Sequence, residues 1–144
     1  MKQHNAKALW KGSLKEGSGE FETGRGNVKT GYSYASRFGD DTKATSPEEL
    51  VGAAHAGCFS MFLSALLSNK NLKPDYISTS AVVHLGEKEG APLITKIELT
   101  TEARIPNIED SEFQQLVKEA KAGCPVSKAL AAVPEITVNA TLAQ

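Results

Sequence analysis

Residues 46–68 read SPEELVGAAHAGCFSMFLSALLS, and this stretch decides the fold. Ser46 is an N-cap residue, Pro47 suits the first helical position, and Glu49 stands three residues after Ser46, where its carboxylate can return to the cap. Together they predict a helix running to about Ser68. Its apolar residues, among them Leu50, Val51, Phe59, Phe62, Leu63 and Leu66, lie nearly all round the axis, as in a helix buried on several sides. Gly52, Ala53, Ala56 and Gly57 let another backbone come close. A chain of 144 residues is short for surrounding such a helix alone. A second copy is therefore expected to supply part of the cover.

Upstream, Ala6 to Leu14, Gly19 to Thr23 and Tyr32 to Ser36 read as short strands separated by glycine-bearing turns. Gly24, Arg25 and Gly26 have a GxG look, but no helix follows them, which favours a hairpin turn over a phosphate loop. Downstream, Ile77 to Leu85 and Leu93 to Ile105 alternate with period two. In the second, Leu93, Thr95, Ile97, Leu99, Thr101, Ala103 and Ile105 share one face, and Lys96, Glu98, Thr100, Glu102 and Arg104 the other, as in a half-solvated antiparallel strand. A helix opens at Asp110 or Ser111, with Phe113, Leu116, Val117 and Ala120 at core spacing, and stops at Gly123. Pro125 starts a short helix to about Ala131, and Ile136, Val138, Ala140 and Leu142 mark a last strand. The fold class is α+β. No repeat or linker divides the chain, so residues 1–144 are read as a single domain.

Composition narrows the function. Sixteen Lys and Arg against seventeen Asp and Glu leave a net charge of -1, which gives no hint of a nucleic-acid or acidic-membrane surface. The opening MKQHNAKALWKG lacks the apolar core of a secretory signal, and His55, Ser60 and Ser64 interrupt the longest apolar run, so neither export nor a membrane span is expected. The expected location is the cytoplasm. Two cysteines, Cys58 and Cys124, make no disulfide framework and have no metal-finger spacing. In a reducing compartment they are inert core thiols or a transient redox pair.

On an ideal helix Glu48 falls about 80° from Cys58, while Glu49 points the opposite way. Geometry therefore assigns Glu48 to a site and Glu49 to the cap, although a first-turn acid also complements the helix dipole. Glu48 is about 15 Å along the axis from Cys58, so a cation must reach between them. His55, one turn before Cys58, is either a partner for its thiol or a packing histidine. A metal set of His55, Cys58, His84 and Cys124 has only one close pair and is disfavoured.

TSPEELVGAAHAGCFSMFL (45–63), KAGCPVSKAL (121–130), SRFGDDTKATSPEEL (36–50), ALWKGSL (8–14) and GSGEF (17–21) together resemble the OsmC/Ohr family of thiol peroxidases, the OsmC branch in particular. The HAGCFSM helix and the AGCPVS turn are the most specific elements. The resemblance implies an intertwined homodimer with antiparallel sheets wrapped around a long central helix. It implies an enzyme that reduces organic hydroperoxides, and more weakly hydrogen peroxide, in stress defence. The matching catalytic positions are Cys58, Cys124, Arg37 and Glu48, with one cysteine attacking peroxide and the other resolving it, and with the arginine coming from the other subunit. It implies no prosthetic group or metal, and a dithiol or lipoyl-type molecule as external reductant. Phe62 is bulkier than the small residue expected after that methionine. A non-catalytic binder of apolar ligands and a redox sensor on the same fold are the alternatives.

The implied chemistry has a physical basis. A thiol near pKa 8.5 is only a few per cent ionised at neutral pH, and apolar burial reduces that further. A guanidinium within about 4–6 Å lowers a pKa by about 1–3 units. Arg37, its fork held by Glu48, would supply it to Cys58. Cys58 then becomes a sulfenic acid with which Cys124 condenses, and Cys124, at the start of the Pro125 helix, gains from unpaired N–H groups there. Phe59, Met61, Phe62 and Leu63 are candidates for an apolar wall.

Overall fold

The computed structural model describes residues 1–144, which form two compact units, Met1–Leu50 and Val51–Gln144. In the first, β1 (Ala6–Lys11), β2 (Ser18–Thr23) and β3 (Lys29–Ser33) make an antiparallel sheet in that order. The Gly24–Asn27 segment is a hairpin turn, closed by the Thr23 N–H on the Val28 carbonyl at 3.0 Å. The third strand begins and ends three residues earlier than the sequence predicts. At Ser33 the chain enters α1 (Tyr34–Phe38) because Ser33 and Ser36 form a reciprocal capping box, with bonds of 2.9 and 3.1 Å. This local side-chain chemistry overrides the β-propensity of Tyr34.

The long helix, α2 (Pro47–Asn69), starts where the capping signal places it. Glu49 Oε2 accepts from the Ser46 N–H at 3.1 Å, and the Glu49 N–H donates to Ser46 Oγ at 3.2 Å. On length and composition α2 is apolar enough to cross a bilayer, but Phe59, Leu63 and Leu67 are fully buried in the core. Burial in the single chain does not extend all round the helix. Ala53, Ala54, Gly57, Met61 and Ala65 are exposed, Met61 at 77%.

In the second unit, β4 (Tyr76–Lys88) and β5 (Ala91–Arg104) pair antiparallel across a turn at Glu89 and Gly90, whose φ values of 53° and 78° suit a tight hairpin. Next come α3 (Asp110–Gly123), α4 (Pro125–Ala129) and β6 (Glu135–Ala143). β6 joins β5 in parallel, the one departure from antiparallel pairing among the strands. The physical reason is the helical connection: α3 and α4 carry the chain back to the starting end of β5, as a parallel crossover requires. Phe113, Leu116, Val117 and Ala120 of α3 share the core with Ile97, Leu99 and Ala103 of β5 and with α2.

The β5 alternation holds only from Lys96 onward. His84 pairs with Lys96 but Leu85 with Ile94, leaving Thr95 as a bulge. Before the bulge the faces exchange, so Ile94, not Leu93, packs on the core. On the solvated side, Lys96 bridges Glu98 at 3.0 Å and Glu135 at 3.3 Å.

Candidate active site

Two side-chain pairs bring the four candidate site residues together. The first belongs to the N-terminal unit. Arg37 Nη2 donates to Glu48 Oε1 at 2.8 Å, and its Nε is shared between the two carboxylate oxygens at 3.1 and 3.3 Å. Local structure builds this fork. Arg37 is in α1, which is tied to the approach of α2 by the Ser36 hydroxyl donating to the Thr45 carbonyl at 2.7 Å. The Thr45 N–H in turn donates to the Gly31 carbonyl at 2.9 Å. Glu48 is buried and Arg37 partly exposed, with the guanidinium over the Phe38 ring. The two adjacent acids divide their work: Glu49 closes the cap and Glu48 turns to the arginine.

The second pair lies within the C-terminal unit. The Cys58 and Cys124 sulfurs are 2.9 Å apart, joined by one S–H, and both are free thiols. Contraction by about 1 Å would bring them to disulfide length. Cys58 comes from the middle of α2 and is half-buried; Cys124 ends α3 and caps α4 and is fully buried. AGCPVS achieves this because Pro125 cannot continue α3 and begins α4 at its first position. Phe62 lies beside the pair, with its ring against Gly123, so the bulky residue is accommodated by the absence of a side chain there.

Electrostatics separates the two thiols. Burial pushes Cys58 up, the bond to Cys124 adds to this, and the Val126 N–H only partly opposes it. Burial also acts to raise Cys124, but the Cys58 S–H, the Ser127 N–H and hydroxyl, and the Val126 N–H outweigh it, so Cys124 lies below its ordinary value. Within one chain, negative charge therefore favours Cys124.

His55 does not pair with Cys58. Its Nε2 is 2.7 Å from Ser127 Oγ, the imidazole is fully buried, and burial lowers its pKa. The four residues considered as a metal set are not brought together, since His84 bonds Glu98 on the exposed side of β4, and no cluster of three metal-binding side chains exists. Of the four candidates for an apolar wall, Phe59 and Leu63 belong to the core, leaving Phe62 and Met61. The sequence alone does not single out Ser127. Its position three residues after Cys124, in the turn of a helix start, is the one local signal it carries.

The profile of the OsmC-like protein family matches residues 39–139. Peroxiredoxin OsmC of Escherichia coli (strain K12) is 44% identical over 133 residues, covering 92% of this chain and 91% of that protein. Organic hydroperoxide resistance protein OhrA of Bacillus subtilis (strain 168) is 32% identical over 97 residues, 67% of each chain. Among solved structures, an OsmC-like protein of unknown function from Vibrio cholerae superposes with a TM-score of 0.78 at 17% identity, covering 98% of this chain and all of that one. An organic hydroperoxide resistance protein from Legionella pneumophila gives 0.72 at 23% identity, covering 100% of both. At those identities the structural likeness speaks for the fold alone.

Proposed function

The chain belongs to the OsmC-like family, and from that premise we propose that it is a cysteine-based thiol peroxidase that reduces organic hydroperoxides, with hydrogen peroxide a poorer substrate. The observation that carries the reading is the 2.9 Å approach of two sulfurs separated by 66 positions in sequence. The relatives' names, peroxiredoxin and organic hydroperoxide resistance protein, support the same chemistry.

Cys58 is the attacking residue in this reading, because its sulfur is the more accessible of the two. Its thiolate attacks the distal peroxide oxygen, the O–O bond breaks, and the alkoxide leaves as an alcohol after taking a proton. The Cys124 thiolate then attacks the Cys58 sulfenic sulfur, and the hydroxyl leaves as water. An external dithiol, of the lipoyl type in this proposal, reduces the resulting disulfide. The catalyst needs no prosthetic group.

Burial works against the Cys58 thiolate, so a cation must restore it. The Arg37–Glu48 fork supplies it from a second copy of the chain, which covers the exposed Ala53, Gly57 and Met61 strip of α2 and makes the active unit a homodimer. Residues 1–144 then act as one functional domain, and the reducing cytoplasm suits its resting dithiol state.

Thiol counting tests the proposal. One equivalent of cumene hydroperoxide should remove both free thiols and produce an intramolecular disulfide on non-reducing mass analysis, and an added dithiol should sustain turnover. Retention of both thiols would leave an apolar-ligand binder. A single oxidation without turnover would leave a sensor.

A further inference from the structure

The sulfur pair sits between two further bridges that join the same elements. Towards the start of α2, one turn before Cys58, His55 Nε2 lies 2.7 Å from Ser127 Oγ, and Ser127 stands in α4, three residues after Cys124. Towards the end of α2, one turn after Cys58, the Phe62 ring rests against Gly123, the residue before Cys124. Along α2 the order is His55, Cys58, Phe62, and their partners Ser127, Cys124, Gly123 run backwards along the α3–α4 corner. His55 and Cys58 are about 4.5 Å apart along the helix axis.

A single contact fixes one distance and leaves two elements free to pivot about it. The ring on Gly123 is an apolar contact, which has no preferred direction. The His55–Ser127 bond is directional and weakens steeply when bent, so it holds the corner at one height and tilt against α2. Both residues are buried, where a hydrogen bond is stronger than in water. Packing alone does not account for an imidazole at this position. Its Nδ1 is buried without a hydrogen-bond partner, and a polar atom so placed destabilises the fold by its lost hydration. An apolar side chain of similar volume would fill the space without that cost. The one bond the ring makes is the one that spans the two cysteine-bearing elements.

We propose that the His55–Ser127 bond is a clamp that holds the Cys124 sulfur against Cys58, which makes His55 and Ser127 positioning residues for disulfide closure. The sulfurs at 2.9 Å need to approach by only about 1 Å, and groups held in this way react at an effective concentration far above that of free thiols. Loosening the corner spreads the sulfur–sulfur distances and lowers that concentration. By linkage, closing the disulfide stabilises the clamp as much as the clamp stabilises the disulfide. A bond that served the fold alone would strengthen the dithiol and disulfide forms equally and leave the equilibrium between them untouched.

The clamp rests on the peroxidase reading for the resolving step it serves, so its test avoids peroxide. Full-length protein with both cysteines is equilibrated with mixtures of reduced and oxidised glutathione. The two protein thiols give two protons and two electrons to glutathione disulfide, yielding the Cys58–Cys124 disulfide and two glutathione thiols. The ratio of the two protein forms gives the effective concentration of the pair. Ser127→Ala should lower it about two- to tenfold, as expected for the loss of one hydrogen bond. Ser127→Thr, which keeps the hydroxyl, should restore it. His55→Leu should give a similar fall that Ser127→Ala does not deepen, because either change removes the same bond. An unchanged effective concentration in Ser127→Ala, no rescue by threonine, or fully additive effects would overturn the clamp. Should His55→Leu fail to fold, the two Ser127 variants decide alone. Failure of cumene hydroperoxide to oxidise the parent protein would count only against the peroxidase reading.

Discussion

The Phe62 ring occupies the space that a side chain on Gly123 would need: a Cβ built there would meet Phe62 Cε1 and Cζ at 2.6 Å. The contact lies one residue before Cys124 in the chain. Gly123→Ala should cost about 1–3 kcal/mol through overpacking. Most of that cost should vanish in the Phe62→Ala background. Urea unfolding of the four proteins of this cycle measures it, and equal costs in both backgrounds would refute the steric coupling.

The division of labour between the thiols predicts different defects. Cys58→Ser should abolish peroxide consumption. Cys124→Ser should allow a single attack and leave a sulfenic acid that a dimedone probe captures. Equal residual turnover in the two variants would contradict the assigned roles.

Arg37→Ala should raise the pKa of Cys58 by about 1–3 units, and Glu48→Gln should slow peroxide consumption by leaving the guanidinium without its charged anchor. Alkylation of Cys58 against pH, in a Cys124→Ser background, gives the first number. A profile that does not move with Arg37→Ala would assign activation of the thiol to a different cation.

His55 makes stability depend on pH. Burial holds its folded pKa below the ordinary value of 6.5, so the unfolded chain binds a proton that the folded one resists. The contribution is complete above about pH 6.5 and is lost as pH falls towards the folded pKa, with no further slope from this group below it. Thermal melts across that window should show less acid sensitivity in His55→Leu than in the parent, whatever its absolute stability.

Ser46→Ala should lower stability by about 0.5–2 kcal/mol, since its hydroxyl satisfies the Glu49 N–H at 3.2 Å. Glu49→Gln, which keeps an acceptor, should cost less. Chemical denaturation reads both, and a larger loss for the glutamine variant would speak against the capping account.

These features differ in how far the chain announces them. The start of α2 is legible because Ser46, Pro47 and Glu49 act within one turn, and local bonds need no tertiary context. The split between Glu48 and Glu49 follows from the 100° step of a helix for the same reason. The turn into α1 was hidden because Ser33 and Ser36 form a weaker capping pattern inside a run of aromatic residues that favours strands. The Thr95 bulge, and with it the exchange of Leu93 for Ile94 in the core, is set by pairing with β4 and so cannot be read from β5 alone. Likewise the His55–Ser127 bond joins residues 72 positions apart, a distance over which periodicity carries no information. The sulfur pair was proposed from family resemblance, and its spacing is a property of packing between α2 and the α3–α4 corner.

That spacing bears on how the protein would endure a heavy oxidant dose. No helix has to unwind and no loop has to travel before the two sulfurs bond, so a sulfenate at Cys58 competes poorly for a second hydroperoxide. Irreversible conversion to sulfinate should therefore be rare even when oxidant greatly outnumbers protein, and loss of Cys124 should expose that vulnerability at once.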